Sequence, residues 1–490
     1  MVLLTPVLTV ALAVIHPALG ILLLAAVAWT LLMSRLEFDA VTVLTVFLAV
    51  LFLIPAAWVF GPLGAVGTPA LVVALGASMW WWLSQLRPKA GREMARGTQP
   101  IRVLALIFLW TVAAGFVAAF SRPLSGVEQT ATYRVLVGLF ALIGLTLLAA
   151  DAIPTRERLD ILVNRMINLA SVFAAIGVIQ FYTDYDPATA LSIPGLVLNF
   201  EVSDGLQRSV VRRVSGTALH PVEFGAVLAV MVPLALHRAL HAPRNKRRFY
   251  WFRVALLGFA LPLSISRTAF VVAGAAALVL ARGWTWRQRF NLLAAAMVFA
   301  VAVRSTAPGV LGTIRALFLN FGRDPSVQGR TDDYDQLFRF IGERPVFGRG
   351  VGTFVPTEYF LVDNEILLTA VTIGLVGLAA LVALILGSAT VARQVFWHGP
   401  DSETSQLGNA LAASIIGSFF SLFTYDALSF PINAGVLFVL MGVTGALWRL
   451  ELRTPRPLPR QPRRRASPLS RDHEAAGAVG NRVSSMAPDR

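Results

Sequence analysis

Apolar runs of roughly 17–25 residues, long enough to cross a bilayer, recur along this chain between short polar or glycine-rich segments. They predict spans at 3–15 and 18–33 (or one long helix kinked at Pro17), then at 41–60, 67–86, 101–120, 135–150 and 161–181. After a polar loop the pattern resumes at 221–240, 252–265, 268–282 and 290–304. After a much larger loop it resumes at 365–391, 406–424 and 429–448. The fold class expected is all-α, a polytopic integral membrane protein with about 12–14 transmembrane helices. The polytopic domain is expected to fill 1–450, with 305–364 as a large extracytoplasmic loop. Inside that loop Tyr334, Leu337, Phe338 and Ile341 recur at helical spacing behind Asp332, Asp333 and Asp335. That spacing predicts an amphipathic helix over about 331–343 that stops before Pro345. The segment 451–490 is rich in Pro, Arg, Ser and Ala without apolar period, and is expected to be a disordered basic tail.

Composition agrees with the pattern. The chain of 490 residues is 56% hydrophobic and 14% charged, where a soluble protein carries roughly 25% charged residues. Cysteine is absent, which excludes disulfides, thiolate nucleophiles and cysteine metal sites. The six histidines, at 16, 220, 237, 241, 398 and 473, form no HExxH or tight cluster. No metal site and no cofactor are therefore expected. The net charge of +15 lies mostly in short loops and the tail, so it does not point to nucleic acid.

The placement of Lys and Arg orients the spans. Loop 87–100 holds Arg87, Lys89, Arg92 and Arg96. Loop 241–253 holds Arg244, Lys246, Arg247, Arg248 and Arg253, and loop 281–289 holds Arg282, Arg287 and Arg289. The segment after the last span is rich in arginine too. With these spans, all four fall on one side, expected to be cytoplasmic together with the C-terminus. The loops 182–220 and 305–364, and the turn at Ser266-Arg267, are then expected to face outward.

Arginine at a membrane interface is expensive and usually has an anionic partner. Three outward places carry it. In VRRVSGTALHP, Arg212 and Arg213 precede a Gly-Thr turn, and a guanidinium pair suits a phosphate or diphosphate; the alternative is headgroup contact. His220, at the start of the next helix, is a candidate general base or a helix cap. Arg267 stands between two strongly apolar helices, where a hairpin needs no charge; ligand contact competes with snorkelling to the interface. Arg330 opens GRTDDYDQLFRFIGERP, and the FGRGVGTF that follows contains Gly348, Gly350 and Gly352. Glycines allow close backbone approach, but the pattern does not fit a nucleotide-binding loop. Asp363-Asn364-Glu365 then opens a long apolar helix. A carboxylate there can take a proton from a sugar hydroxyl, or the residues simply cap the helix.

In this order the segments resemble the O-antigen ligase and O-antigen polymerase family. The resemblance is densest over 329–378 and looser over 208–282. It implies a C-type glycosyltransferase-like fold and a metal-independent, inverting transferase. The implied donor is a glycan on a polyprenyl diphosphate such as undecaprenyl diphosphate, used at the outer face of the bacterial cytoplasmic membrane. It further implies that Arg212 or Arg213, Arg267 and Arg330 bind the diphosphate. The residue before the late Asn364 would activate the acceptor hydroxyl, with Gly350 and Gly352 near the site. Many ligases carry His before that Asn, whereas this chain has Asp363, which leaves open polymerisation or ligation to a glycan or lipid acceptor of another kind. The rival readings are a flippase or transporter of lipid-linked glycan and a relative of the shape and division peptidoglycan polymerases.

Overall fold

The computed structural model describes residues 39–61, 67–86, 98–183, 185–186, 190–199, 213–307, 309–319 and 334–453. The expected spans 3–15 and 18–33, the basic tail, Arg212, Arg330, Asp332 and Asp333 lie outside the described residues. The described residues up to Leu452 belong to one compact unit. Each span expected from 41 onward has its helix. In chain order these are α1 Ala40–Leu53, α2 Pro69–Leu86, α3 Pro100–Ala119, α4 Gly126–Ala152 and α5 Arg156–Thr183. Then come α6 Pro221–Leu240, α7 Arg247–Leu263, α8 Arg267–Arg282 and α9 Trp286–Thr306. Two short helices, α10 Val310–Leu319 and α11 Tyr334–Glu343, precede α12 Glu365–His398, α13 Ser402–Ser421 and α14 Pro431–Trp448. Seven of these are long and apolar enough to cross a membrane: α3, α4, α5, α6, α9, α12 and α14. The protein is an all-α polytopic membrane protein.

Local chemistry explains the boundaries. Asp39 caps α1 by accepting the Thr42 N–H at 2.9 Å, and Asp401 caps α13 through Thr404 at 2.8 Å. Ser125 and Glu128 form a reciprocal capping box, so α4 begins at Gly126 and not at 135 as expected. The expected span 41–60 is corrected at its far end. Pro55 follows the helix, which stops at Leu53 because proline disfavours helical geometry in the residue before it. The chain beyond forms a strand β1, Trp58–Phe60, that pairs antiparallel with β2, Leu196–Leu198. Neither strand nor α10 was anticipated.

The interior is built on α4, α6 and α14. In α6 and α14, 89% of the most apolar window is buried by protein, against 6% in α9. A buried position in a central helix of this kind needs apolar residues all round, and α14 has Val436, Leu437, Phe438, Val439 and Leu440 consecutively buried. Helix α12 is broken at Gly374, whose φ of 72° suits only glycine. The break frees carbonyls that would otherwise be costly in an apolar setting. The N–H groups of Arg349 and Gly350 take up those of Val371 and Thr372, each at 2.9 Å.

One end of the bundle is sealed by ion pairs. Arg102 meets the buried Asp151 at 2.7 Å, and Trp81 Nε1 donates to the same carboxylate at 3.1 Å. Arg158 pairs with Asp39. Arg238 pairs with Asp160 and, at 3.3 Å, with Glu403. Arg156 spans Asp160 at 3.1 Å and Glu451 at 3.4 Å. The opposite end carries the segments singled out by the sequence.

Candidate functional site

The stretch from 213 to 220 is anchored before it reaches α6. Gln180 Oε1, near the end of α5, accepts the N–H groups of Ser215 at 3.0 Å and Gly216 at 2.7 Å. Thr217 Oγ1 donates to the Phe52 carbonyl at 2.7 Å. So fixed, Arg213 directs its Nε to the Ser264 carbonyl at 3.3 Å. His220 is the N-cap of α6, and its Nδ1 accepts the Val222 N–H at 3.2 Å. Of the two sequence alternatives for His220, the cap is realised. Accepting at Nδ1 puts the proton of the neutral ring on Nε2.

Ser264 belongs to the hairpin between α7 and α8. Ile265 there has φ of 46°, a left-handed geometry that is a real outlier for a β-branched residue. Such strain persists only where the surroundings over-determine it. Gly225 of α6 provides that constraint: a Cβ there would lie 2.4 Å from Ser264 Oγ and 2.7 Å from Ala269 Cβ. The hairpin is therefore pressed directly on α6, one turn from His220. Ser266 caps α8 and the half-buried Arg267 is its first residue.

The third segment is the start of α12. Asn364 caps this helix, its Oδ1 accepting the Leu367 N–H at 3.2 Å. Its Nδ2 donates to the Phe423 carbonyl at 3.4 Å. Asp363 precedes it, half-buried. Phe423 belongs to the α13–α14 connection, which also packs Phe430 against the His220 ring at 6.4 Å between centroids. This connection thus joins the His220 segment to the Asn364 segment. Arg213, His220, the Arg267 hairpin and Asp363-Asn364 all belong to one end of the bundle.

Two fully or nearly buried carboxylates hold that connection: Glu223, not singled out by the sequence, and Glu365, named there only within the Asp363-Asn364-Glu365 run. Glu223 Oε1 accepts the N–H groups of Ile432 at 2.7 Å and Asn433 at 3.2 Å. Its Oε2 accepts from Leu219 at 3.0 Å. Glu365 Oε2 accepts the Leu428 N–H at 3.0 Å, and its Oε1 takes the Thr369 hydroxyl at 2.9 Å. Tyr425 is buried in the connection, stacked edge-on against Phe430 at 5.1 Å. Burial, with the nearby negative charge of Glu223, pushes its phenol well above the usual range. Asp426 follows, half-buried. The signal that could have found the glutamates was present: each is a carboxylate in the first turn of an otherwise apolar helix, a costly placement that calls for a partner.

The glycine segment is placed differently. Gly350 has φ of 125° and Gly352 of 72°. A Cβ on Gly350 would lie 2.4 Å from Ala119 Cα, and one on Gly352 would lie 2.7 Å from the Ala131 carbonyl. The close approach these glycines allow is to protein, at the ends of α3 and α4. Arg349 is likewise embedded. It bonds Glu343 at 3.2 Å and the Tyr359 hydroxyl at 3.1 Å, and lies over Phe340 at 4.7 Å. Tyr359 donates in turn to Glu128 at 2.9 Å. The Glu128 carboxylate grips Arg122 and raises its affinity for a proton above the usual arginine range, against the cost of burial. Ser125 bonds Glu358, and Arg344 bonds Ser121 at 2.9 Å. Residues 334–373 are a cover stitched to the α3–α4 connection, with Leu337, Phe354, Val362 and Val371 as its small core.

Among the described residues no group of three or more His, Asp or Glu side chains could hold a metal ion. The arrangement offers guanidinium groups on two segments, a carboxyl and an imidazole, beside apolar helices. No curated protein matches the chain. Residues 252–382, from within α7 to past the break in α12, match the family model Wzy_C, described as O-antigen ligase.

Proposed function

We propose that this protein is a glycosyltransferase that moves a glycan from a polyprenyl diphosphate to an acceptor hydroxyl during assembly of cell-surface polysaccharide. The family match supports a ligase- or polymerase-type function. The observation that carries the finer reading is the bond from Arg213 to the Ser264 carbonyl. It brings two arginine-bearing segments, distant in sequence, to one end of the bundle.

In this reading Arg213 and Arg267 face the diphosphate, with Arg212 and Arg330 as further candidates for the same role. A diphosphate leaving group gains negative charge as its bond to the anomeric carbon breaks, and fixed guanidiniums stabilise that charge without a metal. The acceptor oxygen attacks the anomeric carbon from the opposite side, inverting it. Its proton passes to Asp363, while His220, whose Nδ1 accepts the Val222 N–H, donates its Nε2–H to a sugar oxygen. The polyprenyl chain lies along the apolar helices, and the bilayer is the medium of the reaction. The protein is a multi-pass protein of the bacterial inner membrane, with the site facing outward and the C-terminus in the cytoplasm.

The test is turnover in lipid. Purified protein is given a polyprenyl-diphosphate-linked oligosaccharide, and polyprenyl diphosphate release and glycan length are followed. Release with lengthening glycan identifies a polymerase; release only on glycosylation of an added acceptor identifies a ligase. Transfer of intact donor across the bilayer with no release would replace the enzyme by a flippase.

A further inference from the structure

We propose that Glu223 and Glu365 are positioning residues: they hold the α13–α14 connection, 422–433, by accepting its backbone N–H groups, and so set Tyr425, Asp426 and Phe430 against the His220 and Asn364 segments. This inference rests on the transferase reading above for its kinetic consequences, but not for its structural content.

The geometry is specific. Each glutamate sits in the first turn of the helix that follows a candidate site residue, Glu223 after His220 and Glu365 after Asp363-Asn364. Each is closed off from solvent, at 0% and 5% exposure. A carboxylate of that burial is costly unless its oxygens are satisfied. Here the described partners are four backbone N–H groups and one hydroxyl. Three of the four amides, those of Leu428, Ile432 and Asn433, belong to the connection or to the start of α14, where orphan N–H groups need acceptors. The attachment is mutual, since Glu365 N–H donates to the Leu422 carbonyl at 2.8 Å. Asn433 Nδ2 also closes on the Ala427 carbonyl at 3.2 Å. The connection is thus gripped from α6 at its far end and from α12 in its middle. Tyr425 and Asp426 lie between the Leu422 and Leu428 contacts of Glu365, and Phe430, which packs on Tyr425 and faces the His220 ring, lies between the Glu365 and Glu223 grips.

The two glutamates differ in a way that makes the idea breakable. At Glu365, a glutamine can keep every bond: its oxygen accepts from Leu428, and its amide donates to the Thr369 hydroxyl, which accepts as well as donates. At Glu223, three N–H groups share two oxygens, and a glutamine must turn its NH2 against one of them. Acceptor geometry, not charge, therefore predicts an order. Glu365→Gln retains near-wild-type kcat, Glu223→Gln falls below it, and Glu365→Ala loses about 10²-fold, the scale of a catalytic group displaced by about 1 Å. Donor KM stays at the wild-type value throughout, because Arg213 and Arg267 sit on other segments.

The experiment combines turnover with a distance. The chain has no cysteine, so spin labels on Leu361→Cys and Ser429→Cys, both exposed positions, report how tightly the connection is held. Wild type and Glu365→Gln are expected to give one narrow distance distribution, and Glu365→Ala a broad one. The proposal is overturned if folded Glu365→Gln is as inactive as Glu365→Ala, since charge would then be the requirement. It is equally overturned if Glu365→Ala loses activity with the distance unchanged, or if donor KM rises while kcat holds. Should Glu365→Ala fail to fold, the two glutamine variants decide by their order, and a reversed order sinks the idea. If wild type releases no polyprenyl diphosphate, the transferase reading falls while the distance measurement still tests the grip.

Discussion

The two ends of the bundle use the same residues in opposite ways. At one end, arginines meet carboxylates: Arg102 with Asp151, Arg158 with Asp39, Arg238 with Asp160 and Glu403, Arg156 with Asp160 and Glu451. At the other, the buried carboxylates Glu223 and Glu365 are taken by backbone amides, and Arg213 leans on a backbone carbonyl. An ion pair joins two side chains, whereas a carboxylate that accepts backbone N–H groups fixes the course of the chain itself. The first end is built as a fastening; at the second, the cover has ion pairs of its own, Arg122 with Glu128 and Arg349 with Glu343, while the first-turn glutamates of α6 and α12 hold backbone.

That difference can be broken by mutation. The largest effect is expected at the fastening: Asp151→Ala removes the carboxylate that Arg102 and the Trp81 N–H share, costing about 3–5 kcal/mol. It should appear as a lowered melting temperature in detergent, with turnover per folded molecule unchanged. Next comes Arg267→Ala, expected to lower transfer by about 10²–10³-fold while the melting temperature stays put. A matching loss of stability would make Arg267 another fastening. Arg349 offers a sharper comparison, because it shares the site end yet is held by Glu343, Tyr359 and Phe340. Arg349→Ala is expected to cost about 1–3 kcal/mol of stability, with activity falling only as folded protein is lost. The smallest effect has the opposite sign. Gly342 lies within α11, and a Cβ there meets nothing within 4 Å, so Gly342→Ala should stabilise by about 0.5–1 kcal/mol. In Gly350→Ala, by contrast, the new methyl runs into Ala119, and melting curves of the two variants should move in opposite directions.

Much of the fold was legible in the chain. Apolar period alone located α2, α3, α6, α8 and the start of α12 to within a few residues, because a bilayer imposes length and composition on whatever crosses it. The amphipathic α11 was legible for the same kind of reason, its apolar residues recurring at helical spacing. The strands β1 and β2 were not, since each has three residues and owes its form to a partner far along the chain. Site residues divided similarly. Arg213, Arg267, His220 and Asn364 could be nominated because polar groups at the ends of apolar helices demand an explanation. The glycine motif could be noticed, yet its period does not say whether a ligand or a neighbouring helix comes close.

By itself, then, the sequence determined that this is a polytopic helical membrane protein, with arginines at helix ends and no cysteine. These are properties of local composition and spacing. Only the tertiary structure decided that Gly350 and Gly352 make room for α3 and α4. It alone decided that Asn364 reaches the α13–α14 connection, and that Glu223 and Glu365 spend their oxygens on that connection's backbone. Such contacts join residues tens to hundreds of positions apart, and no local spacing encodes which distant amide a buried carboxylate will find.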